Sequence, residues 1–146
     1  MALRRSAEDY LEAILVLKNQ KGVVRSIDVA HHLDYSKPSV SRAVSNLKRD
    51  GYLEMKADGE LVFTTQGKKT AEKIYERHTI LTALFTSIGV SEETAAEDAC
   101  RVEHAISDET FDRLKATHKD RISGLAAMAD KGDKKKKKKK KKTDKE

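Results

Sequence analysis

Between Asp98 and Ser107 the chain reads DACRVEHAIS, which holds its only cysteine, Cys100, followed by Glu103 and His104. At about 3.6 residues per helical turn, positions i, i+3 and i+4 share one face. A thiol, a carboxylate and an imidazole on one face form a compact set of metal ligands. Asp9 and Glu12, spaced i, i+3 near the start of the chain, form a second acidic pair. His78 lies between the two sets in sequence. Each residue also has an ordinary reading: Cys100 as a small buried hydrophobe, His78 as a core histidine, Asp9 as a capping acid and Glu12 as a solvated helix residue. Singly those readings prevail, and only the combination points to a metal.

Elements must position these groups. Ser6 can open a first helix, with Asp9 as its capping partner. Tyr10, Leu11, Ile14, Leu15 and Leu17 form its apolar side, and Gly22 ends it. In VVRSIDVAHHLDYSKPSVSRAVSNLKRDGYL, Ser26 can cap a short helix with Ile27, Ala30 and Leu33 inward. Asp34, Tyr35 and Ser36 make a tight turn. Ser36 caps the next helix, whose first turn tolerates Pro38 because no helical donor is needed there. Val40, Val44 and Leu47 are its apolar face, and Gly51 closes it. Two short capped helices joined by such a turn make a helix-turn-helix.

Two strand-like runs, YLEM and LVFT, flank Asp58-Gly59, a hairpin signal. Three helices and a hairpin give a winged helix-turn-helix. Thr65 then caps a long helix with a stripe of Ala71, Ile74, His78, Leu81 and Phe85, stopped near Gly89. Ser91 caps the helix carrying DACRVEHAI, and Ser107 opens another with Phe111 and Leu114. The expected fold is mainly α with a small β-hairpin wing: a winged helix-turn-helix over 1–64, then a helical dimerisation and metal-binding domain over 65–129.

The chain has 146 residues, 38% hydrophobic and 37% charged, so its core is modest and dimerisation would enlarge it. No apolar run reaches the roughly 18 residues of a membrane span. MALRRSAEDY carries basic residues without an apolar segment behind them, so a secretory signal is not expected. A single cysteine excludes an internal disulfide, and the expected compartment is the cytoplasm. The net charge of +6 hides an asymmetry. Residues 130–146 hold eleven lysines against four acids, so 1–129 is slightly acidic. The nine lysines of 134–142 repel one another and bury nothing, which predicts a disordered tail, with two readings of equal weight: non-specific attraction for DNA or anionic lipid, or a solvated, solubilising segment.

A recognition helix presents its N-terminal half to the major groove. Its exposed residues here are Lys37, Ser39, Ser41, Arg42 and Ser45. Hydroxyls and amides at helix starts suit phosphates, while Arg42 has the fork that grips a guanine edge. The candidate DNA contacts are Ser26, Ser36, Lys37, Pro38, Ser39, Ser41, Arg42 and Arg49, with Lys48 also within reach of the backbone. A folded part without net positive charge binds DNA weakly as one copy. Two copies on a two-fold axis remove that difficulty, so the expected partners are double-stranded operator DNA and a second copy of the chain. No small-molecule substrate is expected.

SAEDYLEAILVL, KPSVSRAVSNLKRDGYL, TTQGKKTAEKIYERH and EDACRVEHAISDE, in this order, resemble the diphtheria-toxin-repressor family of metal-dependent transcriptional regulators. The likeness spans about residues 6–116. Without a third, SH3-like domain the layout resembles the short manganese-transport-regulator branch. The resemblance implies a metal site between the DNA-binding and dimerisation parts, with ligands at Asp9, Glu12, His78, Glu103 and His104. Position 100 departs from that branch, which has a carboxylate there, and matches the iron-sensing branch, which has cysteine. The iron branch in turn lacks the acids at 9 and 12. Positions of its ancillary site hold Thr82 and Ala96 here, so His78 is available to the main site.

The implied ligand set with Cys100 suits a borderline divalent ion, Mn²⁺ or Fe²⁺: carboxylates favour the harder ion, imidazole and thiolate the softer. The expected function is repression of manganese or iron uptake genes when the ion is plentiful. Two alternatives stand beside it. One is a winged-helix regulator indifferent to metal. The other is a small metal-dependent hydrolase, since CRVEH has the spacing of inverted zinc-peptidase motifs with cysteine for the first histidine. No substrate cleft is evident for the latter, and it would leave the helix-turn-helix without a purpose.

Overall fold

Residues 3–119 are described in a computed structural model. The element order is α1 (Arg5–Lys21), α2 (Ser26–Leu33), α3 (Lys37–Arg49), β1 (Leu53–Met55), β2 (Leu61–Phe63), α4 (Thr65–Ser87) and α5 (Glu92–Val102). A sixth helix, α6, occupies 108–119. The chain divides into two compact units, Met1–Thr79 and Ile80–Glu146, with the division inside α4. The tail 130–146 and the end of the expected 65–129 domain lie outside the described residues.

In the first unit α1, α2 and α3 pack with the hairpin around Leu11, Ile14, Val24, Val29, Val40, Val44, Leu47, Leu53 and Leu61. β1 and β2 are antiparallel, pairing Leu53 with Phe63 and Met55 with Leu61. The three inward residues of α3 recur at four and three positions, one face at helical spacing. In the second unit Leu81, Leu84, Ala95, Ala99 and Phe111 are buried.

Local chemistry moves several helix starts from their expected places. α1 begins at Arg5 with Arg4 as its cap residue, so Ser6 is inside the helix and Asp9 is not its capping acid. α2 begins at Ser26, and the cap is made from within: the Asp28 carboxylate accepts the Arg25 amide at 2.8 Å. Ser26 is therefore the first helical residue. The apolar face rotates accordingly, with Val29 and Ala30 buried and Ile27 exposed. α4 is capped by Thr64 rather than Thr65: the Thr64 hydroxyl accepts the Gly67 amide at 3.0 Å and donates to the Gly51 carbonyl at 2.6 Å. One hydroxyl thus ties the end of α3 to the start of α4.

Ser36, Ser91 and Ser107 cap as expected, accepting from the amides of Ser39, Thr94 and Thr110. The turn between α2 and α3 places Asp34 at φ 55°, and the Tyr35 amide returns to the Ala30 carbonyl at 3.1 Å. At Gly67 the requirement is space rather than torsion. A Cβ there would overlap the carbonyl oxygen of Tyr52, so only glycine lets the first turn of α4 approach this closely.

Candidate metal centre and nucleic-acid interface

α1 carries Asp9 and Glu12 one turn apart, both half-buried. Glu12 faces α4, and its Oε1 lies 3.8 Å from His78 Nδ1, with 14% and 26% of the two side chains exposed. The first unit therefore holds Glu12 and His78 as neighbours, with Asp9 on the same helix. In the stripe of α4 the other buried residues are Ala71, Ile74, Arg77, Leu81 and Leu84. His78 is less buried than these, and its imidazole is turned to a carboxylate.

In the second unit, Ser91 and the acids Glu92 and Glu93 start α5, which suits the positive end of a helix. The helix ends at Val102, earlier than expected, so Glu103 and His104 occupy the following turn. Glu103 keeps right-handed helical torsions, and its amide still bonds Ala99 at 2.9 Å. The i, i+3 relation to Cys100 therefore survives the helix end. Ligand atoms of Cys100, Glu103 and His104 lie within 4.8 Å of one another. Glu103 Oε1 is 3.2 Å from His104 Nε2, and the two side chains are 0% and 5% exposed.

Removing a carboxylate fully from water is costly unless charge or hydrogen bonds compensate it. A buried carboxylate, an imidazole and a thiol whose ligand atoms converge suit a divalent ion of borderline softness. The donor set thus fits the metal that its residue types suggested.

The candidate DNA contacts lie as the helical pattern requires. Val40, Val44 and Leu47 point into the core, while Lys37, Pro38, Ser39, Ser41, Arg42 and Ser45 are exposed. Ser36 and Ser39 are exposed but occupied with each other: the Ser36 hydroxyl donates to the Ser39 hydroxyl at 2.8 Å while capping. Arg49 is exposed, and its Nε donates to the adjacent Asp50 carboxylate at 3.2 Å. Ser26 is half-buried in the first turn of α2.

Sequence reasoning passed over Arg25. It precedes α2, where the positive end of the helix disfavours a cation. That misplaced charge was the available signal that some other partner holds it.

Two family models divide the chain between them. One, the N-terminal DNA-binding domain of iron-dependent repressors, matches residues 2–61; the other, their metal-binding and dimerisation domain, matches 64–120. The chain belongs to the iron-dependent repressor family. Solved structures share its fold. A hypothetical protein of Sulfolobus solfataricus, SSo2273, is 23% identical, with 79% of this chain and 88% of that chain covered and a TM-score of 0.60. The manganese regulator SloR is 24% identical over 80% of this chain and 54% of its own, at a TM-score of 0.67. IdeR of T. acidophilum is 25% identical over 80% and 55%, at 0.66. The chain spans about half the length of these last two. Family membership makes it a metal-responsive, DNA-binding regulator. Among the described residues no helix is long and apolar enough to cross a membrane.

Proposed function

We propose that this repressor-family chain acts in the cytoplasm as a homodimer on double-stranded operator DNA, silencing manganese or iron uptake genes when Mn²⁺ or Fe²⁺ is plentiful. It is a regulator and not an enzyme. The observation that supports this most directly is the convergence of Cys100, Glu103 and His104 within the part matched by the metal-binding and dimerisation domain. Asp9 and Glu12, on the DNA-binding part, together with His78, complete the proposed ligand set.

A bound ion would supply the positive charge that offsets the mutual repulsion of the carboxylate donors. Everything else belongs to the chain. Asp9 and Glu12 lie on α1, which packs on both helices of the helix-turn-helix. Cys100, Glu103 and His104 come from the other matched part. Donors drawn from both parts make one arrangement of the two preferable when all are engaged. Stabilising that arrangement raises its population, and its DNA affinity with it. In a dimer the same bias fixes the separation of two recognition helices, which must match half-sites about one DNA turn apart. Arg42 then reads a base, and Lys37, Ser41 and Arg49 hold phosphates.

A gel-shift titration with Mn²⁺, anaerobic Fe²⁺, Zn²⁺ and chelator tests the reading. Operator affinity should rise with Mn²⁺ or Fe²⁺ and collapse with chelator. Equal affinity with and without metal would leave only a metal-indifferent regulator.

A further inference from the structure

The cation that precedes α2 has its partner on the wing. Arg25 Nε donates to the Asp58 carbonyl at 3.1 Å, and Arg25 Nη2 donates to the Asp58 carboxylate at 3.3 Å. Asp58 and Gly59 form the turn between β1 and β2, with Gly59 at φ 86°. The same turn is closed from within by the Glu60 amide on Asp58 Oδ1 at 3.0 Å and the Gly59 amide on the Lys56 carbonyl at 2.9 Å. A second tether lies one residue away: the Leu61 amide donates to the Val24 carbonyl at 2.8 Å. Arg25 is in turn held at its own backbone by Asp28, whose carboxylate receives Lys21 Nζ at 2.6 Å. Lys21, Asp28, Arg25 and Asp58 therefore form a continuous chain of bonds from the end of α1 to the tip of the wing.

We propose that Arg25 is a positioning residue for DNA binding: through its two bonds to Asp58 it fixes the wing tip against the start of α2, so that wing and recognition helix meet DNA as one body. The proposal rests on the DNA-binding reading and adds a residue to it. A two-stranded hairpin of three-residue strands is marginal by itself, so its direction depends on such tethers. Both partners are about half exposed, at 46% and 57%, and an exposed ion pair adds little to global stability. Its effect lies in where the wing points. The wing offers DNA the cation Lys56, which is exposed and paired with Glu60 at 3.1 Å. That contact is useful only if the tip is held in place.

The test uses the full chain, Arg25→Gln, Arg25→Lys, and a variant with Lys56–Glu60 replaced by a shorter turn. Hydrogen exchange is read without DNA. In Arg25→Gln the amides of Gly59 and Glu60 should exchange about three- to tenfold faster while those of α3 stay unchanged. Unchanged exchange at the tip overturns the latch. Binding is then read on metal-loaded protein and operator DNA. Arg25→Gln should weaken binding about three- to tenfold. Arg25→Lys should fail to restore it, since an ammonium lacks the fork. In the wing-shortened background Arg25→Gln should have no further effect. Rescue by lysine, or an undiminished loss without the wing, would show that Arg25 touches DNA itself and overturn the proposal. Wild-type protein that binds no DNA under any metal condition would instead overturn the functional reading, an outcome separate from the exchange result.

Discussion

Asp28 accepts Lys21 Nζ at 2.6 Å and, with its other oxygen, the Arg25 amide at 2.8 Å. One carboxylate thereby caps α2 and ties it to the end of α1. The Lys21 hydrogen bond above all, then the Arg25 amide, holds its carboxyl below the usual value of 3.8. A carboxylate whose folded pKa is depressed contributes stability that is full above its unfolded pKa and disappears as pH falls through the folded one.

Asp28→Ala should therefore cost about 1–2 kcal/mol at neutral pH, mostly through the lost cap. The ion pair adds little, because Lys21 is about half exposed. The gap between variant and wild type should narrow as pH drops below about 4, the unfolded value for aspartate. Urea melts at several pH values measure it. A gap that is constant from pH 7 down to pH 2 would show that the charge plays no part.

Gly67→Ala sets two effects of opposite sign against each other. Helix propensity alone favours alanine inside a helix by about 1 kcal/mol. The added Cβ, however, meets the Tyr52 carbonyl oxygen and lies 2.8 Å from its carbon. Backbone cannot swing aside as a long side chain does, so overpacking should win, for a net loss of about 1–2 kcal/mol. A thermal melt decides the sign, and a stabilised variant would mean that α4 shifts freely away from the wing.

Arg42→Ala should cost about 1–3 kcal/mol on the cognate operator and relax preference at one base pair of each half-site. Arg42 is exposed on the same helix whose Val40, Val44 and Leu47 are buried, so folding should be untouched. Binding to a panel of operators with single-base changes checks it. A uniform loss across the panel would make Arg42 a phosphate contact.

Removing residues 130–146 should lower non-specific DNA binding and flatten its salt dependence while operator choice stays the same. The surplus of seven positive charges in that segment is the reason. Competition between operator and random DNA at two salt concentrations separates the terms, and a changed operator preference would give the tail a role in recognition.

The order of helices, the Asp58-Gly59 turn and the buried triplet of α3 were legible because each follows from a local rule of spacing or torsion. The caps at Arg25 and Thr64 were not. Serine at 26 and threonine at 65 are good cap residues by type, but Asp28 takes the first cap through the Arg25 amide three residues back, and Thr64 takes the second while bonding the Gly51 carbonyl thirteen residues back. The early end of α5 at Val102 was hidden because nothing between Glu103 and Ser107 is glycine or proline. Cys100, Glu103 and His104 still converge because one further helical residue, Glu103, suffices to keep their spacing. The pairing of Glu12 with His78 joins positions far apart in sequence, so residue type and a family resemblance suggested it where periodicity could not.

Cys100 decides how soft the proposed site is. It is half-buried, with Glu103 and His104 ligand atoms within 4.8 Å. Cys100→Glu replaces the soft donor with a hard one. It should keep activation by Mn²⁺ and weaken the response to Fe²⁺ and Zn²⁺. Cys100→Ala removes a donor and little volume, so it should impair activation by every ion while leaving the fold intact. Metal should also slow alkylation of the thiol, because a coordinated sulfur is withdrawn from the reagent. That measurement needs no DNA and separates ligand from filler. A thiol that merely fills space beside the two ligands would be alkylated at one rate with and without Mn²⁺, and its alanine variant would bind metal as the wild type does.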